Sequence, residues 1–409
     1  MKKPFNWPLA VSPFTLRDRF KVARRIMRYD RYTMGEKVEE LEEKFSKLAD
    51  ARFTVACSSG SAANQILFEV WKHNNPGETA VVIVPAVTWV SSVSPAIMAG
   101  FAIKFCDINR TDFSFDYTKL DELLASLAPH RVIIWATALI GFCPDMECLR
   151  HLAAQHGAEL FLDSCENTLS REMGRSILAS CGMTTTSLYF SHQVVAIEFG
   201  FVFFESERDW ETARMFRNHG LSRSLPMMNR RRTDAERQNP FVDPSFLFAI
   251  SGTNSRPSEI HAMFGLLDFE RIPETSSHRA KLYARFWDKM KVGGFHDPHA
   301  RPLFHEGGLA SFTHEISDTH SAWVLPIFHT GSGVERLKAT LNEAGIETRP
   351  IIGGNLLRQP PFKCYGSPTD FPNAEWVHNQ GFYVGLHKGV TPAMIDGLVG
   401  MLGDWMASK

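Results

Sequence analysis

The spacing of apolar positions predicts a long amphipathic helix in the N-terminal part of the chain. Between Gly35 and Leu48, the residues Val38, Leu41, Phe45 and Leu48 recur at steps of three and four residues. This spacing places them on one face of a helix. We therefore expect a helix over 35–48 that packs this face against a core.

Short apolar runs then alternate with amphipathic stretches as far as about residue 271. The runs are T-V-A-C, A-V-V-I-V-P, I-K-F-C-D, R-V-I-I-W-A-T, E-L-F-L-D, S-L-Y-F-S and F-V-F-F. One helical stretch between these runs begins after Ser61, and others lie near 94–99, 120–127 and 146–156. Alternation on this scale indicates an α/β fold, with a mainly parallel sheet covered by helices on both faces.

The pattern changes from about Ile272 onwards. A long helix near 277–290 leads into glycine- and proline-rich connections and a smaller α+β segment. We therefore predict two domains, a large one over 1–271 that includes an N-terminal arm and a small C-terminal one over 272–409.

Composition and charge narrow the class of protein. The 409 residues are 44% hydrophobic and 22% charged, and the formal net charge is −1. These values are ordinary for a globular protein and favour neither nucleic acid nor an anionic membrane surface as a partner. No stretch approaches the length of a membrane span, and M-K-K-P-F-N-W-P lacks the apolar core of a signal peptide, so we expect a cytoplasmic protein.

Cysteines and basic residues add little specific chemistry. The seven cysteines are scattered and form no C-x-x-C pair, which disfavours a disulfide scaffold or a zinc site. Arg230-Arg231-Arg232 is the only dense basic cluster. We expect it to be a solvated loop, with contact to a substrate diphosphate as the alternative.

Three local motifs are candidates for chemistry, although each also has a plainer structural interpretation. S-S-G-S-A-A-N over 58–64 follows a strand and opens a helix, so it can cradle an anion or simply provide a serine N-cap. Asp163 ends a strand at the sheet edge where ligands bind in α/β folds, so it can hold a protonated ring nitrogen or cap the next loop. Trp89 can offer a flat face for stacking or belong to the core.

The order and spacing of six motifs resemble the DegT/StrS sugar aminotransferase family. They are S-G-S-A-A-N, P-A-V-T-W, F-L-D-S-C-E-N, S-L-Y-F-S-H-Q-V-V-A-I-E-F-G, F-R-N-H-G and G-T-N-S-R-P-S-E-I-H-A. The later stretch G-I-E-T-R-P-I-I-G-G-N-L-L-R-Q-P is also similar, and the resemblance runs from about Met34 to Gly389. It implies an aspartate aminotransferase-like fold (PLP fold type I) and a homodimer whose active sites lie at the subunit interface.

The resemblance also implies a pyridoxal 5′-phosphate site. Gly60 and Ser61 match the phosphate cradle, and Trp89 matches the ring that stacks on the pyridine. Asp163 matches the carboxylate that keeps the pyridine nitrogen protonated, so that the ring can act as an electron sink. Glu166 matches a side chain near the phenolic oxygen. Two phosphate contacts complete the implied set: Ser187 and, reaching across from the partner subunit, Asn254.

His192 stands where members of this family carry the lysine that binds the cofactor. The family pattern S-F-x-P-x-K falls on S-L-Y-F-S-H over 187–192, and no lysine lies between Lys119 and Lys281. An imidazole cannot form a stable imine with an aldehyde, but it can move protons near neutral pH. We therefore expect a cofactor that is not covalently bound, with His192 as the catalytic acid and base.

This histidine variant resembles a small subgroup, the nucleotide-linked 4-keto-6-deoxyhexose 3-dehydratases. The pattern F-S-H-x-x-x-x-I-E-x-G is closest to the members that act on GDP-4-keto-6-deoxymannose. The resemblance implies that bound pyridoxamine phosphate condenses with the C4 ketone and that His192 removes a proton from the cofactor's C4′ carbon. The C3 hydroxyl is then expelled, hydrolysis releases ammonia and a 3-deoxy-4-keto sugar, and L-glutamate regenerates the amine form of the cofactor.

Other positions follow from the same resemblance. His219 and Arg223, in N-H-G-L-S-R, match a loop that contacts the sugar, and Arg256 matches an arginine suited to the substrate diphosphate. Surface or interface ion pairs are the plainer interpretation of all three. A related subgroup that uses CDP-sugars carries an iron–sulfur cluster, but only Cys364 follows His192, so we expect no cluster here.

Several departures from the family pattern leave alternatives open. Phe199 replaces the first glycine of I-E-G-G and either reshapes the sugar pocket or fills a gap, while Ser58, Gln193 and Leu386 also differ from relatives. A dehydratase acting on another nucleotide sugar is one alternative. An aminotransferase and a catalytically silent protein that binds the cofactor or a sugar nucleotide are the others.

Overall fold

A computed structural model describes residues 4–292, 323–329 and 333–408. In its first part the strands are β1 Phe53–Cys57, β2 Ala80–Pro85, β3 Ala102–Cys106, β4 Arg131–Thr137, β5 Glu159–Asp163, β6 Arg171–Glu172, β7 Arg175–Ser176, β8 Met183–Ser187 and β9 Gly200–Phe204. The helices are α1 Leu16–Ile26, α2 Glu36–Ala49, α3 Gly60–Asn74, α4 Ser94–Met98, α5 Tyr117–Ser126, α6 Met146–His156, α7 Glu207–Phe216, α8 Arg230–Gln238, α9 Glu259–Phe269 and α10 Ile272–Val292. Each helix predicted from the apolar spacing is present, with ends that differ by a few residues.

A seven-stranded sheet forms the centre of this part, in the order β1-β9-β8-β5-β4-β2-β3. Only β9 runs antiparallel to its two neighbours. Both faces are buried under helices, and the near-continuous apolar sequences of the strands provide the two core surfaces. The predicted mainly parallel α/β sheet is confirmed.

The register of the sheet brings the ends of several strands to one edge. Thr137 at the end of β4 pairs with Asp163 at the end of β5, and Asp163 pairs with Thr185 of β8. Gly200 begins β9 opposite both Ser187 and Cys57, the last residues of β8 and β1. Functional side chains that are distant in sequence therefore meet at this edge.

Helix α2 begins where a buried carboxylate satisfies its free backbone donors. Glu259, at the start of α9 and fully buried, accepts hydrogen bonds from the backbone N–H groups of Gly35, Lys37 and Val38 at 2.9–3.0 Å. The first N–H groups of a helix have no partner within the helix, so this contact fixes α2 on α9.

The C-terminal part contains a smaller, antiparallel sheet. Its strands are β10 Val324–Phe328, β11 Arg349–Pro350 and β12 Gly381–Gly385, in the order β10-β12-β11. Its helices are α11 Val334–Ala344, α12 Pro372–Gln380 and α13 Pro392–Ala407. Strands β10 and β12 and helices α11 and α13 pack with α10 around a core of their own. Ala374 and Val377 of α12 instead belong to a core of the large sheet.

The N-terminal arm packs on this C-terminal part. Trp7 is fully buried in its core, and its Nε1 donates a 2.7 Å hydrogen bond to the carbonyl of Gly385. The arm was predicted to belong with residues 1–271, and that division at 271/272 remains a prediction. Among the described residues, no helix is both long and apolar enough to cross a membrane.

Two sequence features take on a definite structure. The prediction that Arg230-Arg231-Arg232 forms a loop is wrong, since this run begins α8. Asn229 caps the helix by accepting from the N–H of Arg232, and the Arg232 side chain pairs with Glu236 at 2.8 Å. Phe199 is fully buried, with its ring 5.2 Å from that of Phe201. It therefore fills the core beneath the sheet.

Candidate functional site

The turn between β1 and α3 is packed so tightly that Gly60 has no room for a side chain. A Cβ at this position would lie 2.6 Å from Ser187 Cβ and 2.9 Å from Cys165 Sγ. Ser59 caps α3 by accepting from the N–H of Ala62 at 3.1 Å, so the plainer N-cap interpretation holds for this serine. Ser61, one residue further, is exposed at the helix N-terminus, where an anion is favoured.

Asp163 is a buried carboxylate held by three donors. Its Oδ2 accepts from Asn64 Nδ2 at 2.8 Å and from Ser92 Oγ at 2.7 Å. Its Oδ1 accepts from the N–H of Cys165 at 3.0 Å, so Asp163 also caps the loop that follows β5. Asn64 is fixed in turn, because its Oδ1 accepts from Thr185 Oγ1 at 2.6 Å.

His192 lies in the loop after β8, close to the end of that strand. Its Nδ1 is 3.2 Å from the carbonyl oxygen of Ser187. A carbonyl can only accept, so this contact requires the proton on Nδ1 and leaves the Nε2 lone pair available as a base. The His192 ring lies 5.5 Å from that of Tyr189 and 5.7 Å from that of Trp323.

Burial lowers the pKa of His192 to about 4. The Ser187 carbonyl and the Asp163 carboxylate act against this shift, while the Arg279 guanidinium acts with it. The imidazole is therefore neutral at neutral pH, which is the form that can accept a proton.

Glu166 is a second carboxyl group at the same sheet edge, with different electrostatics. Burial raises its pKa to about 8, against the hydrogen bond that its Oε2 accepts from the N–H of Ile140 at 2.7 Å, and Asp163 adds to the rise. Glu166 therefore carries a proton at neutral pH and can donate a hydrogen bond. Its backbone carbonyl accepts from Trp323 Nε1 at 3.2 Å, which links it to the C-terminal part of the chain.

Trp89 and Ser187 differ sharply in exposure. Trp89 follows β2 and leaves 54% of its surface exposed, so it does not belong to the core of this chain and its ring face is free to stack. Ser187 is only 5% exposed, and its Oγ accepts from the N–H of Tyr189 at 3.2 Å.

The four remaining residues of the predicted site lie on the surface of this chain. Asn254 and His219 are exposed. The backbone N–H of His219 donates to the carbonyl oxygen of Thr253, and the N–H of Ser58 donates to the carbonyl oxygen of Ser255. Arg256 contacts Asn254 Oδ1 at 3.1 Å, and Arg223 lies over the Phe246 ring at 5.7 Å. None of the ion pairs found among the described residues involves Arg223 or Arg256, so the ion-pair interpretation gains no support.

A cleft of about 560 Å³ opens beside His192. The N-terminal arm, α10 and the turn after β12 form its walls, which include Pro13, Lys281 and Lys388. It leaves open space next to the His192 side chain.

Sequence reasoning missed residues that act behind the predicted ones. They are Asn64, Ser92, Thr185, Arg279 and Trp323. For Asn64 a signal was present, because an amide in the apolar helical stretch A-A-N-Q-I-L-F requires buried partners. For the others the chain gives no such signal, since their contacts join segments far apart in sequence.

Comparisons with known proteins show the family of this chain. The profile of the DegT/DnrJ/EryC1/StrS aminotransferase family matches residues 15–402. A GDP-4-keto-6-deoxy-D-mannose 3-dehydratase from Yersinia pseudotuberculosis is 28% identical over 393 residues, which cover 94% of each chain. The sequence-based resemblance to this family is confirmed.

Solved structures support the same relationship. The Escherichia coli GDP-4-keto-6-deoxy-D-mannose-3-dehydratase with bound hydrated PLP has a TM-score of 0.83 at 26% identity, over 97% of this chain and 99% of that one. A GDP-4-keto-6-deoxymannose-3-dehydratase with a trapped PLP-glutamate geminal diamine has a TM-score of 0.82 at 25% identity, over 97% and 100%. The predicted aspartate aminotransferase-like fold is confirmed.

Proposed function

The chain belongs to the DegT/DnrJ/EryC1/StrS aminotransferase family, and from this premise we propose that it is a dehydratase dependent on pyridoxal and pyridoxamine phosphate. Its reaction removes the C3 hydroxyl of a nucleotide-linked 4-keto-6-deoxyhexose, with GDP-4-keto-6-deoxymannose as the substrate. The enzyme is thus a carbon–oxygen lyase of deoxysugar biosynthesis, and the E. coli and Yersinia relatives carry the same activity in their names.

One observation carries this proposal: a neutral histidine occupies the position of the family's lysine. His192 holds its Nδ1 proton against the Ser187 carbonyl and keeps Nε2 available. An imidazole at this position can transfer protons but cannot tether an aldehyde, so a transaminase cycle that depends on the tether is disfavoured.

The residues at the sheet edge fit a pyridine ring with a phosphate. Gly60 allows the turn before α3 to pack directly against Ser187, and Ser61 and Ser187 add hydroxyl groups beside the N-terminus of α3. Asp163 would pair with the ring nitrogen and Trp89 would stack on the ring face. Protonated Glu166 would donate a hydrogen bond to the phenolic oxygen.

When bound, the cofactor supplies an amine that condenses with the C4 ketone and a ring that accepts electrons. His192 Nε2 would accept a proton beside the cofactor, and the imidazolium so formed would donate one to the departing C3 oxygen of the sugar. Asp163 would hold the protonated ring nitrogen. The carbonyl of Ser187 orients the imidazole and stabilises its charged form.

L-Glutamate is the amino donor in this proposal. The solved structure of one relative contains a PLP-glutamate geminal diamine, which supports glutamate as the reactant that restores the amine form.

We also propose a cytoplasmic homodimer with shared active sites. The exposure of Asn254, His219 and Arg223 supports this arrangement, because groups that complete a neighbour's site must lie on the surface of their own chain. Arg256 beside Asn254 would then face the substrate diphosphate.

The test uses the purified protein with pyridoxal phosphate, L-glutamate and GDP-4-keto-6-deoxymannose. We expect glutamate to convert the bound aldehyde to the amine form, borohydride to fix no cofactor to the protein, and the substrate to release ammonia. His192→Asn should bind the cofactor normally and lose roughly 10²–10⁴-fold in the rate of ammonia release, the usual contribution of general acid–base catalysis.

Other outcomes would replace the proposal. A lysine adduct after borohydride treatment would contradict the untethered cofactor, and absence of cofactor binding would favour a silent protein. Ammonia release only with a dTDP- or CDP-linked sugar would retain the reaction class and change the nucleotide carrier.

A further inference from the structure

Arg279 is a buried cation in the wall of the cleft beside His192. It lies on α10, is only 7% exposed, and donates three hydrogen bonds to backbone carbonyls. Nη1 donates to Gln193 at 3.1 Å, Nη2 to His192 at 3.5 Å, and Nε to Leu386 at 3.0 Å. The guanidinium fork thus joins the loop that carries His192 to the residue after β12.

The other side of this loop is also held by side chains from distant segments. Asp268 of α9 accepts from the N–H of Val195 at 2.8 Å. Gln193, which differs from the family pattern, accepts through Oε1 from the N–H groups of Thr168 and Leu169 at 2.8 and 3.1 Å. Of these groups, only Arg279 bonds the carbonyl of His192 itself and also reaches the C-terminal part of the chain.

The positive charge of Arg279 also acts on the His192 imidazole, because it lowers the pKa of this group together with burial. A nearby cation disfavours protonation of a histidine, and three hydrogen bonds to backbone carbonyls hold this charge in a fixed position. Asp163 acts on His192 in the opposite sense, and the Tyr189 ring is in contact with it. The cleft beside His192 is lined by further ionisable groups from α9, α10 and the turn after β12: Asp268, Arg271, Glu274, His278, Lys281, His387 and Lys388.

We propose that Arg279 is a positioning residue for the base of this reaction, which fixes the His192 loop against the C-terminal part of the chain and adds its charge to the burial that keeps the imidazole neutral. The proposal rests on the proposed function of His192 and adds a residue that acts through it. Burying a guanidinium is costly unless its donors are satisfied, so a residue that only fills the core would not need to be an arginine.

The experiment measures the pKa of His192 directly, by NMR titration of histidine-labelled protein without cofactor. The His192 signal is assigned as the one that His192→Asn removes. In Arg279→Met we expect the pKa of His192 to rise measurably toward its usual range, because the cation is lost. In Arg279→Lys, which retains the charge, we expect a smaller rise.

The same variants are then compared as loaded enzymes. We expect Arg279→Met to lower kcat about 10–100-fold with KM little changed, since the affected group acts in the transition state. Arg279→Lys should recover part of kcat. Arg285→Met is the matched control, because Arg285 lies on the same helix but pairs with Asp396 on the far side at 2.6 Å, and it should leave the His192 pKa and kcat unchanged.

The outcomes separate this proposal from the proposed function. A folded Arg279→Met variant with an unchanged His192 pKa would overturn the role of Arg279, whatever the activity. A shifted pKa in a protein without dehydratase activity would retain the positioning role and reject the reaction. If Arg279→Met does not fold, Arg279→Lys decides: wild-type kcat together with a wild-type His192 pKa would overturn the proposal.

Discussion

Asp163 shows how one residue of the site depends on polar partners hidden behind it. A buried carboxylate is costly unless its oxygens accept hydrogen bonds. Asn64 and Ser92 both donate to Oδ2, and Thr185 orients the Asn64 amide by donating to its Oδ1. This arrangement fixes the orientation of the Asp163 carboxyl group, as a partner for a protonated ring nitrogen requires.

Replacement of Asn64 tests this network. In Asn64→Ala, Asp163 loses one donor and Thr185 loses its acceptor. We expect the free energy of unfolding to fall by about 1–3 kcal/mol and cofactor affinity to fall as well, because the carboxylate is less firmly oriented. Denaturant unfolding and titration of the cofactor absorbance measure the two effects.

Asn109→Ala provides the control for this variant. Asn109 also makes several hydrogen bonds through its side chain, but all lie within the loop over 109–115. It should lose stability without weakening cofactor binding. Equal loss of affinity in both variants would mean that Asn64 acts only through general stability.

At the scale of elements, the site depends on the close approach of three chain segments: the turn before α3, strand β8 and strand β9. Gly60 faces Ser187, and a Cβ on Gly200 would lie 2.3 Å from the carbonyl oxygen of Ser59. The turn before α3 can therefore lie directly on β8 and β9. This close approach is what brings the helix N-terminus to the same edge as Asp163.

Gly60→Ala should push this turn away from β8. We expect a stability loss of about 1–3 kcal/mol, the usual cost of overpacking, and at least tenfold weaker binding of pyridoxal phosphate, because the phosphate cradle is displaced. Equilibrium unfolding and absorbance titration measure both quantities.

Gly400→Ala is the matched substitution in an open position. Gly400 lies in α13, and no atom comes within 4 Å of a Cβ added there. This variant should gain up to about 1 kcal/mol from helix propensity and bind the cofactor normally. Normal binding by Gly60→Ala would show that the cradle lies elsewhere.

At the scale of the whole molecule, the predicted residues divide into two groups. Gly60, Asp163, Glu166, Ser187 and His192 meet at one edge of the sheet. Asn254 and its neighbours lie on the surface. In the proposed homodimer the second group completes the site of the neighbouring subunit.

Subunit complementation tests this arrangement. His192→Asn and Asn254→Asp should each be nearly inactive, the second because a carboxylate repels the phosphate. After the two are mixed and their subunits exchange, about one quarter of the sites should be intact, since half of the dimers are mixed and each has one site without either change. Ammonia release measures the recovery.

A second pair supplies the control for complementation. His192→Asn mixed with Asp163→Ala should recover no activity. Both residues come to a given site from the same subunit, so every site in a mixed dimer carries one of the two changes. Recovery in this pair, or none with Asn254→Asp, would contradict the shared site.

The sequence by itself determined the fold class, the family and the residues at the ends of strands. Apolar spacing predicts helices such as α2 and the strands of the sheet because burial imposes a period on the chain. The resemblance of the ordered motifs to the family predicts Asp163, Ser187 and His192 as site residues. The untethered cofactor follows from the lysine-free stretch around His192.

Only the tertiary structure decided how these residues are supported. The contacts of Arg279 with His192 and Leu386, and of Asn64 with Asp163, join segments about a hundred residues apart, so no local pattern announces them. The sequence left open whether Phe199 faces a pocket or the core, and the packing around the sheet places it in the core beside Phe201. The low pKa of His192 likewise arises from burial and charge in three dimensions, which a linear sequence does not specify.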